Sequence, residues 1–487
     1  MVKDPGFLAF MEYTCPEFEV PSTQTISNRV KEIYAKEKEK LKEKLREVDW
    51  VAITTDGGTS TNAISYQDTN VHFLDENLKL VSYVLSVKEN KEKHTTENYR
   101  ANTDEVLEEF GLVGKVILFV TDNEPKMKAA YVGEERSGCL SHIIHKSVIK
   151  GLNDVEPLKS VVEKIRKITK KHNKSYAFRY AVENQQKKRD LKVRPLHQDV
   201  PTRWGSTVAS TDSLLDHKDD EDEETDFKNI KAVNAALREI NLKKDELETL
   251  LLTNRDCEKI KNLNKVLKKL DIYSTTLGGD KFVTSSLVFP IVKSIKKLAS
   301  EDPEEKLYMS EFKEILLDDF KTRVSDNVNF KVLKKCCALN PAFKNLKTIG
   351  DNLSDEAKKR VREEVFSELE DELISMIMTE RALDFGNAIE PEESDDADLN
   401  SNVTGRETSS LKRNLTLDFD ESDEEEENSG LNYENVKNEF AAYNAEPIMS
   451  RDSCPLEWWD ARKGKYLHLL KLVRKYLCIP ATGLQWP

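Results

Sequence analysis

No part of this sequence offers the roughly 20 consecutive apolar residues that a bilayer-spanning helix requires, so no membrane partner is expected. The opening residues, MVKDPGFLAFMEYTCPEFEVP, have no basic segment followed by an apolar run, and no secretory signal is read there. Cysteine is sparse: seven residues, odd in number and scattered, which excludes a disulfide scaffold and fits a reducing compartment. An overall basic excess is also missing, since the formal charge is −14 over 487 residues. That figure does not exclude a nucleic-acid partner, because the negative charge is concentrated in two runs, Asp219–Asp226 and Glu390–Glu427. Between Lys164 and Arg194, basic residues outnumber acidic ones, so local patches decide the partner rather than the sum.

What is present divides into a strand-bearing part and a helical part. The run RVKEIYAKEKEKLKEKLREV predicts a solvated amphipathic helix, with Ser27 or Asn28 as its cap. From Asp49 the pattern changes. VAITTD is a short apolar run ending at Asp56 and a Gly-Gly turn, and YQDTNVHFLD and LKLVSYVLSV then alternate in polarity as an antiparallel meander. A helix over about 94–111 follows, with Gly111 as its stop. VILFVTD reads as a strand buried on both faces that ends at Asp122, and SGCLSH as a fifth strand before a long helical region to about Lys188. Three strands, helix, strand, helix, strand, helix is the order of an RNase H-like domain, in which the first and fourth strands are neighbours. Asp56 and Asp122 then meet at one edge of the sheet. Residues 206–388 read as helices with apolar residues at three- and four-residue spacing. Residues 389–430 are acidic, Ser/Asn-rich and poor in aromatics, as in a linker. Helical pattern returns over 431–487.

Two carboxylates at strand ends are the residue type that holds divalent metal for phosphodiester chemistry, although an Asp ending a strand is more often a turn or cap residue. Cys139, His142 and His145 lack a fourth partner for structural zinc, and no zinc is expected. Arg203 and Trp204 are candidate phosphate and base contacts. The basic stretch with Lys170, Lys171, Lys174, Lys187, Lys188 and Arg189 is a candidate backbone track, a solvated helix face being the ordinary reading. Trp458, Trp459, Tyr466, Leu470, Val473 and Leu477 make an apolar stripe that either packs a core or meets a partner.

Taken in order, these segments resemble the hAT (hobo–Activator) superfamily of DNA transposases, and among them the zinc-finger BED-domain-containing group. AITTDGGTS is similar to the family's TTDGWTS, with Gly58 in place of Trp. VTDNEPKMKAA is similar to TDNAxNM, keeping Asp122 and Asn123 but departing at Glu124, Pro125 and Lys126. CLSHIIH keeps Cys139 and His142 of CxxHxLN, with His145 where Asn is usual. TRWGST keeps Arg203 and Trp204 of TRWNST. TTLGGDKFVTSSLVFPIV, ALNPAFKNL and PLEWWDARKGKYLHLLKLVRKYLCIPAT match later family segments. The resemblance implies an α/β RNase H-like domain interrupted by a large all-α insertion and followed by a helical dimerisation segment. The expected layout is 1–48 helical, 49–205 RNase H-like, 206–388 insertion, 389–430 linker and 431–487 dimerisation. Implied roles are Asp56 and Asp122 as catalytic ligands of Mg²⁺ or Mn²⁺, His142, Arg203, Trp204 and the lysine stretch toward DNA, and the Trp/Tyr/Leu stripe toward a second copy. The family's IPATS runs into SERVFS, whose Glu completes the catalytic set, whereas here IPATGLQWP matches no such residue; nor does a BED finger precede residue 50. The expectation is therefore a transposase-derived nuclear protein, catalytically incompetent, that binds DNA or partner proteins and self-associates. The alternatives are a fragment of an active transposase and an interaction module without DNA contact.

Overall fold

The structure, a computed structural model, describes residues 2–60, 62, 64–90, 95–200, 204–215, 227–300, 305–350, 353–387 and 423–483. Arg203, the acidic run at 219–226 and the expected linker up to 422 lie outside the described residues. The chain forms two compact units, Met1–Cys337 with Arg474–Pro487, and Ala338–Val473. Neither limit coincides with a boundary drawn from composition.

The first unit opens with α1 (Pro5–Thr14) and α2 (Thr23–Arg46). The cap of α2 is Ser22, whose Oγ accepts the Thr25 N–H at 3.0 Å, so Ser27 and Asn28 lie inside the helix instead of starting it. An earlier hydroxyl satisfied the orphan amide first, and the intervening residues carry no helix breaker.

The strands are β1 (Val51–Thr55), β2 (Gly57–Thr59), β3 (Ser65–Leu74), β4 (Leu80–Glu89), β5 (Val116–Thr121) and β6 (Arg136–Gly138), with α3 (Thr96–Glu109) and α4 (Pro125–Ala130) between them. β3 pairs antiparallel with both β1 and β4, while β5 runs parallel to β1 and β6 parallel to β5. Two details differ from the sequence pattern. Gly57 and Gly58 are not a turn: they belong to β2, which pairs with β3 beyond the stretch paired to β1. The fifth strand is only three residues, because α5 (Leu140–Asp154) begins at once and takes His142 into its first turn. Gly111 ends the segment after α3 with a φ of 65°, a left-handed position that glycine accepts without strain.

One apolar layer covers the sheet. Val51, Ile53, Val71, Phe73 and Phe119 pack with Leu45 from α2, Val106 and Phe110 from the α3 segment, and Met127 and Tyr131 from the α4 segment. The long helical region expected up to about Lys188 consists of α5, α6 (Glu156–Lys174) and α7 (Tyr176–Lys188), divided at Val155 and Ser175. Then come α8 (Trp204–Leu214), α9 (Lys228–Glu239), α10 (Lys244–Leu250), α11 (Asn254–Leu277), α12 (Val288–Leu298), α13 (Leu307–Asn327) and α14 (Phe330–Ala338). α11 starts with a full capping box, Thr253 and Asp256 each accepting the other's backbone N–H. α5 lies close on α13: a Cβ on Gly151 would stand 2.8 Å from the Phe312 ring.

The second unit holds α15 (Asp355–Asn387), α16 (Asp423–Ala445), α17 (Pro455–Asp460) and the start of α18 (Leu469–Tyr476). α16 begins inside the stretch expected as linker. Its core is aromatic: the Tyr443 ring lies 4.9 Å from Trp459 and 6.2 Å from Tyr466, centroid to centroid. The polar edges of these rings are satisfied internally, Trp459 Nε1–H donating to Leu339 O at 2.9 Å and Tyr443 O–H to Ala338 O at 2.9 Å. The Lys344 ammonium, fully buried, donates to the carbonyls of Tyr443 and Glu446 at 2.5 and 2.6 Å.

Candidate carboxylate site

The parallel ladder between β1 and β5 ends with Thr54 opposite Val120 and Thr55 opposite Thr121. One residue further along each strand stand Asp56 and Asp122. Adjacent strands lie about 4.8 Å apart, so the register delivers the two carboxylates side by side. Both strands are driven into the sheet by buried apolar runs that stop at these residues, which is why the polar pair emerges at the ladder's end.

The backbone at Asp56 is held by a third carboxylate. Its N–H donates to Asp68 Oδ1 at 2.6 Å, while the Asp68 N–H donates back to Asp56 O at 3.1 Å. Asp68 is buried and also accepts from Asn70 Nδ2 at 3.1 Å. Asp122 Oδ1 accepts the Glu124 N–H at 3.0 Å, an Asx turn that carries the chain into α4. Beneath it Arg136 donates from Nε to Thr121 Oγ1 at 2.7 Å and from Nη2 to the Asp122 carbonyl and to Asn123 Oδ1, the last at 3.2 Å. Gly138 permits this packing, since a Cβ there would fall 2.0 Å from Asn123 Oδ1.

The electrostatics are those of crowded like charges. Asp56 is pushed up to about 6, first by the protein around its carboxyl and then by the charges of Asp122 and Asp68. Asp56 keeps an exposed outer surface, so water screens part of the burial effect and the neighbouring charges are the firmer cause. Burial also raises Asp122, against the lowering influence of the Glu124 amide, Arg136 and Lys146. The Tyr99 hydroxyl stands 3.3 Å from where a Gly57 Cβ would be, and its phenol is raised by burial and by Asp122, Glu124 and Asp56. His142 follows in the first turn of α5. Its Nε2 is buried with no hydrogen-bond partner, and burial with the Lys146 charge lowers its pKa to about 4, leaving a neutral imidazole. The His145 ring lies 6.1 Å from that of His142, and burial pushes the Cys139 thiol up to about 11.

Two neighbouring carboxylates whose repulsion a cation would relieve fit a divalent metal as two ligands of its shell. Among the described residues no three His, Cys, Asp or Glu side chains converge as a metal cage. A divalent metal held there would act as a Lewis acid toward an oxygen ligand.

The structure brings Asp56, Asp122 and the start of α5 together. Other sequence candidates lie apart from them. Trp204 opens α8 with only 5% of its surface exposed, so its ring packs in the fold and presents no open face for stacking. Lys170 and Lys174 are exposed on α6. Lys171 pairs with Glu246 at 2.7 Å, Lys187 with Glu183 at 2.6 Å and Lys188 with Glu239 at 3.7 Å. Arg189 donates to Gln185 O at 3.1 Å. Of the apolar stripe, Trp459, Tyr466, Val473 and Leu477 are buried, and Trp458 and Leu470 are partly exposed. Sequence reasoning missed Tyr99, Arg136 and Lys146, which carry no spacing signal, and the exposed pair Tyr176 and Tyr180. Those two rings stack on α7 at 6.2 Å, and their i, i+4 spacing between basic residues was a readable sign.

Residues 439–485 match the hAT family C-terminal dimerisation region. The chain is 22% identical over 507 aligned positions, 99% of its own length, to a Zea mays protein described as an AC transposase, covering 58% of that protein. It is 27% identical over 145 positions, 29% of its length, to the Hobo transposase of Drosophila melanogaster, covering 21% of it. The chain thus spans less than two thirds of the length of either relative. The described helices include none long and apolar enough to cross a membrane.

Proposed function

We propose, from the premise that this chain belongs to the hAT superfamily of transposases, that it is a nuclear, self-associating DNA-binding protein built around an RNase H-like domain. In this reading Asp56 and Asp122 bind one divalent cation, Mg²⁺ or Mn²⁺, and among the described residues no third His, Cys, Asp or Glu joins them as a ligand. The observation that carries the reading is the β1–β5 register, which sets the two carboxylates at adjacent positions where a parallel pair ends. The sheet order, with β1 between an antiparallel β3 and a parallel β5, supports the domain assignment. The match to a dimerisation region supports self-association.

The chain's own groups divide the work. Asp56 and Asp122 hold the cation, Asp68 and Arg136 fix the backbone beneath them, and the neutral His142 stands beside the pair with its Nε2 closed to solvent. Lys170, Lys174 and the Tyr176–Tyr180 pair offer charge and stacking faces to the strand further off. A second reading, metal-dependent cleavage and strand transfer, is favoured by the retained Asp pair and by the relatives' names.

The test uses the full 487-residue chain. Fluorescence anisotropy with duplex DNA is expected to show affinity that falls linearly with salt on logarithmic axes, and Mn²⁺ is expected to produce no joined products. Absence of DNA binding at 50 mM salt refutes the first reading. Joined products that vanish in Asp56→Asn establish the second.

A further inference from the structure

The corner between α6 and α7 joins a row of cations to two open aromatic rings. From Lys164 to Val182 the sequence holds seven basic residues and no acidic one. Three of the seven are taken by ion pairs, Lys164 with Asp256, Arg166 with Asp199 and Lys171 with Glu246. Lys167, Lys170 and Lys174 are exposed and have no ion-pair partner among the described residues. Their i, i+3, i+7 spacing puts them on one face of α6, turned away from the buried Ile165, Ile168 and His172, at about one charge per 5 Å of axis. On α7 the Phe178 side chain is fully buried, and Tyr176 and Tyr180 lie about 160° around the helix from it, one on either side. They are therefore held outward, 78% and 54% exposed. We propose that this corner binds single-stranded DNA, its rings stacking on unpaired bases while the lysine row follows the phosphates. The proposal rests on the DNA-binding reading above and narrows it to unpaired strands.

The fold fixes how the two features meet. Ser175 Oγ accepts the Phe178 N–H at 3.2 Å and so starts α7 one residue after α6 ends. Across the corner Arg179 Nη2 donates to Asn173 O at 3.0 Å, and the His172 ring meets Phe178 edge-on at 6.1 Å. Lys174 closes the cation row two residues before Tyr176, within about 7 Å of chain. The two tyrosine rings are nearly parallel, 13° apart with centroids at 6.2 Å, so they present their faces in one orientation. The nearest acid along α7, Glu183, is already held by Lys187 at 2.6 Å. Flat faces beside a row of cations match what a single strand offers, bases beside a row of phosphates. A duplex matches only half of this, because its base faces are shut inside the stack and only base edges and phosphates are open. The lysines therefore serve either form of DNA, whereas the tyrosines serve the unpaired form alone.

The full chain is titrated by anisotropy, at 50 mM salt, with three labelled probes: a 20-nucleotide thymidine strand, an abasic strand of the same length and charge, and a 20-base-pair duplex. Tyr176→Ala combined with Tyr180→Ala is expected to weaken the thymidine strand at least about tenfold and to leave the duplex within about twofold. Both rings lie outside the core, so thermal melts of this variant should match the parent. The Tyr176→Phe, Tyr180→Phe variant keeps the stacking faces and should restore single-strand affinity. The parent chain should bind the abasic strand as weakly as the double alanine variant binds the thymidine strand. Lys170→Glu with Lys174→Glu should weaken all three probes and flatten their salt dependence. Duplex binding accompanied by equal parent affinity for the thymidine and abasic strands overturns this proposal alone, as does an unchanged single-strand affinity in the folded double alanine variant. Tyrosine-dependent binding of the single strand without duplex binding upholds it and overturns the duplex reading. Absence of every complex overturns both.

Discussion

The two ends of the β1–β5 pair are built from the same strands and carry opposite charge. At the end of the ladder stand Asp56 and Asp122 with Asp68 behind them, and burial together with the charges of Asp122 and Asp68 lifts Asp56 to about 6. At its start Lys115, Lys331, Lys335 and Lys475 surround a cavity. The acidic end is formed by register, one residue past the last ladder pair. The basic end is formed by a break in register, one residue too many in β5. Regular pairing aligns side chains, whereas a bulge opens room between them. One pair of strands therefore yields a tight site and a roomy cavity.

The contrast can be broken first at the acidic end. Gly138→Ala forces a methyl group into Asn123 and is expected to lose about 1–3 kcal/mol of stability. A urea melt measures it, and an unchanged midpoint would mean the Asp122–Asn123 loop yields freely. Next, Asp56→Asn with Asp122→Asn should weaken Mn²⁺ binding at least about tenfold by calorimetry, roughly 1.4 kcal/mol. Equal affinity in the double variant would move the metal elsewhere. A third measurement follows stability against pH. The folded Asp56 value lies above the unfolded one near 4, so the stability that its proton contributes is fully present below pH 4 and is lost as pH rises through about 6. Asp56→Asn should flatten that fall in a series of thermal melts; an identical slope would mean that Asp56 is not the group involved. The smallest effect is expected at the basic end. Lys115→Met removes a cation from the carbonyl end of α2 and should cost a few tenths to about 1 kcal/mol, read from the same melts.

Much of the acidic end was legible in the sequence. VAITTD and VILFVTD each announce a buried strand that stops on an aspartate, and their order in the chain makes them neighbours. The basic end was not legible, because its lysines come from positions 115, 331, 335 and 475, and only the fold brings them together. Tyr99 and Arg136 escaped for the same reason. Short elements were misjudged where side-chain pattern is weak. Gly57 and Gly58 look like a turn but pair with β3, and the fifth strand is too brief to alternate. Trp204 and the Trp/Tyr stripe show a further limit, since an aromatic that packs inward and one that faces a partner share the same periodicity.

The internal use of Trp459 and Tyr466 bears on how self-association should be probed. Each ring is sealed within its own fold, and Trp459 is tethered to Leu339 O. Truncating either would loosen the module before it touched any second molecule, so vanished dimers in an alanine survey would report collapse. Residues open to solvent in that unit, such as Leu467 at 65% exposure, are where a substitution can separate recognition from folding.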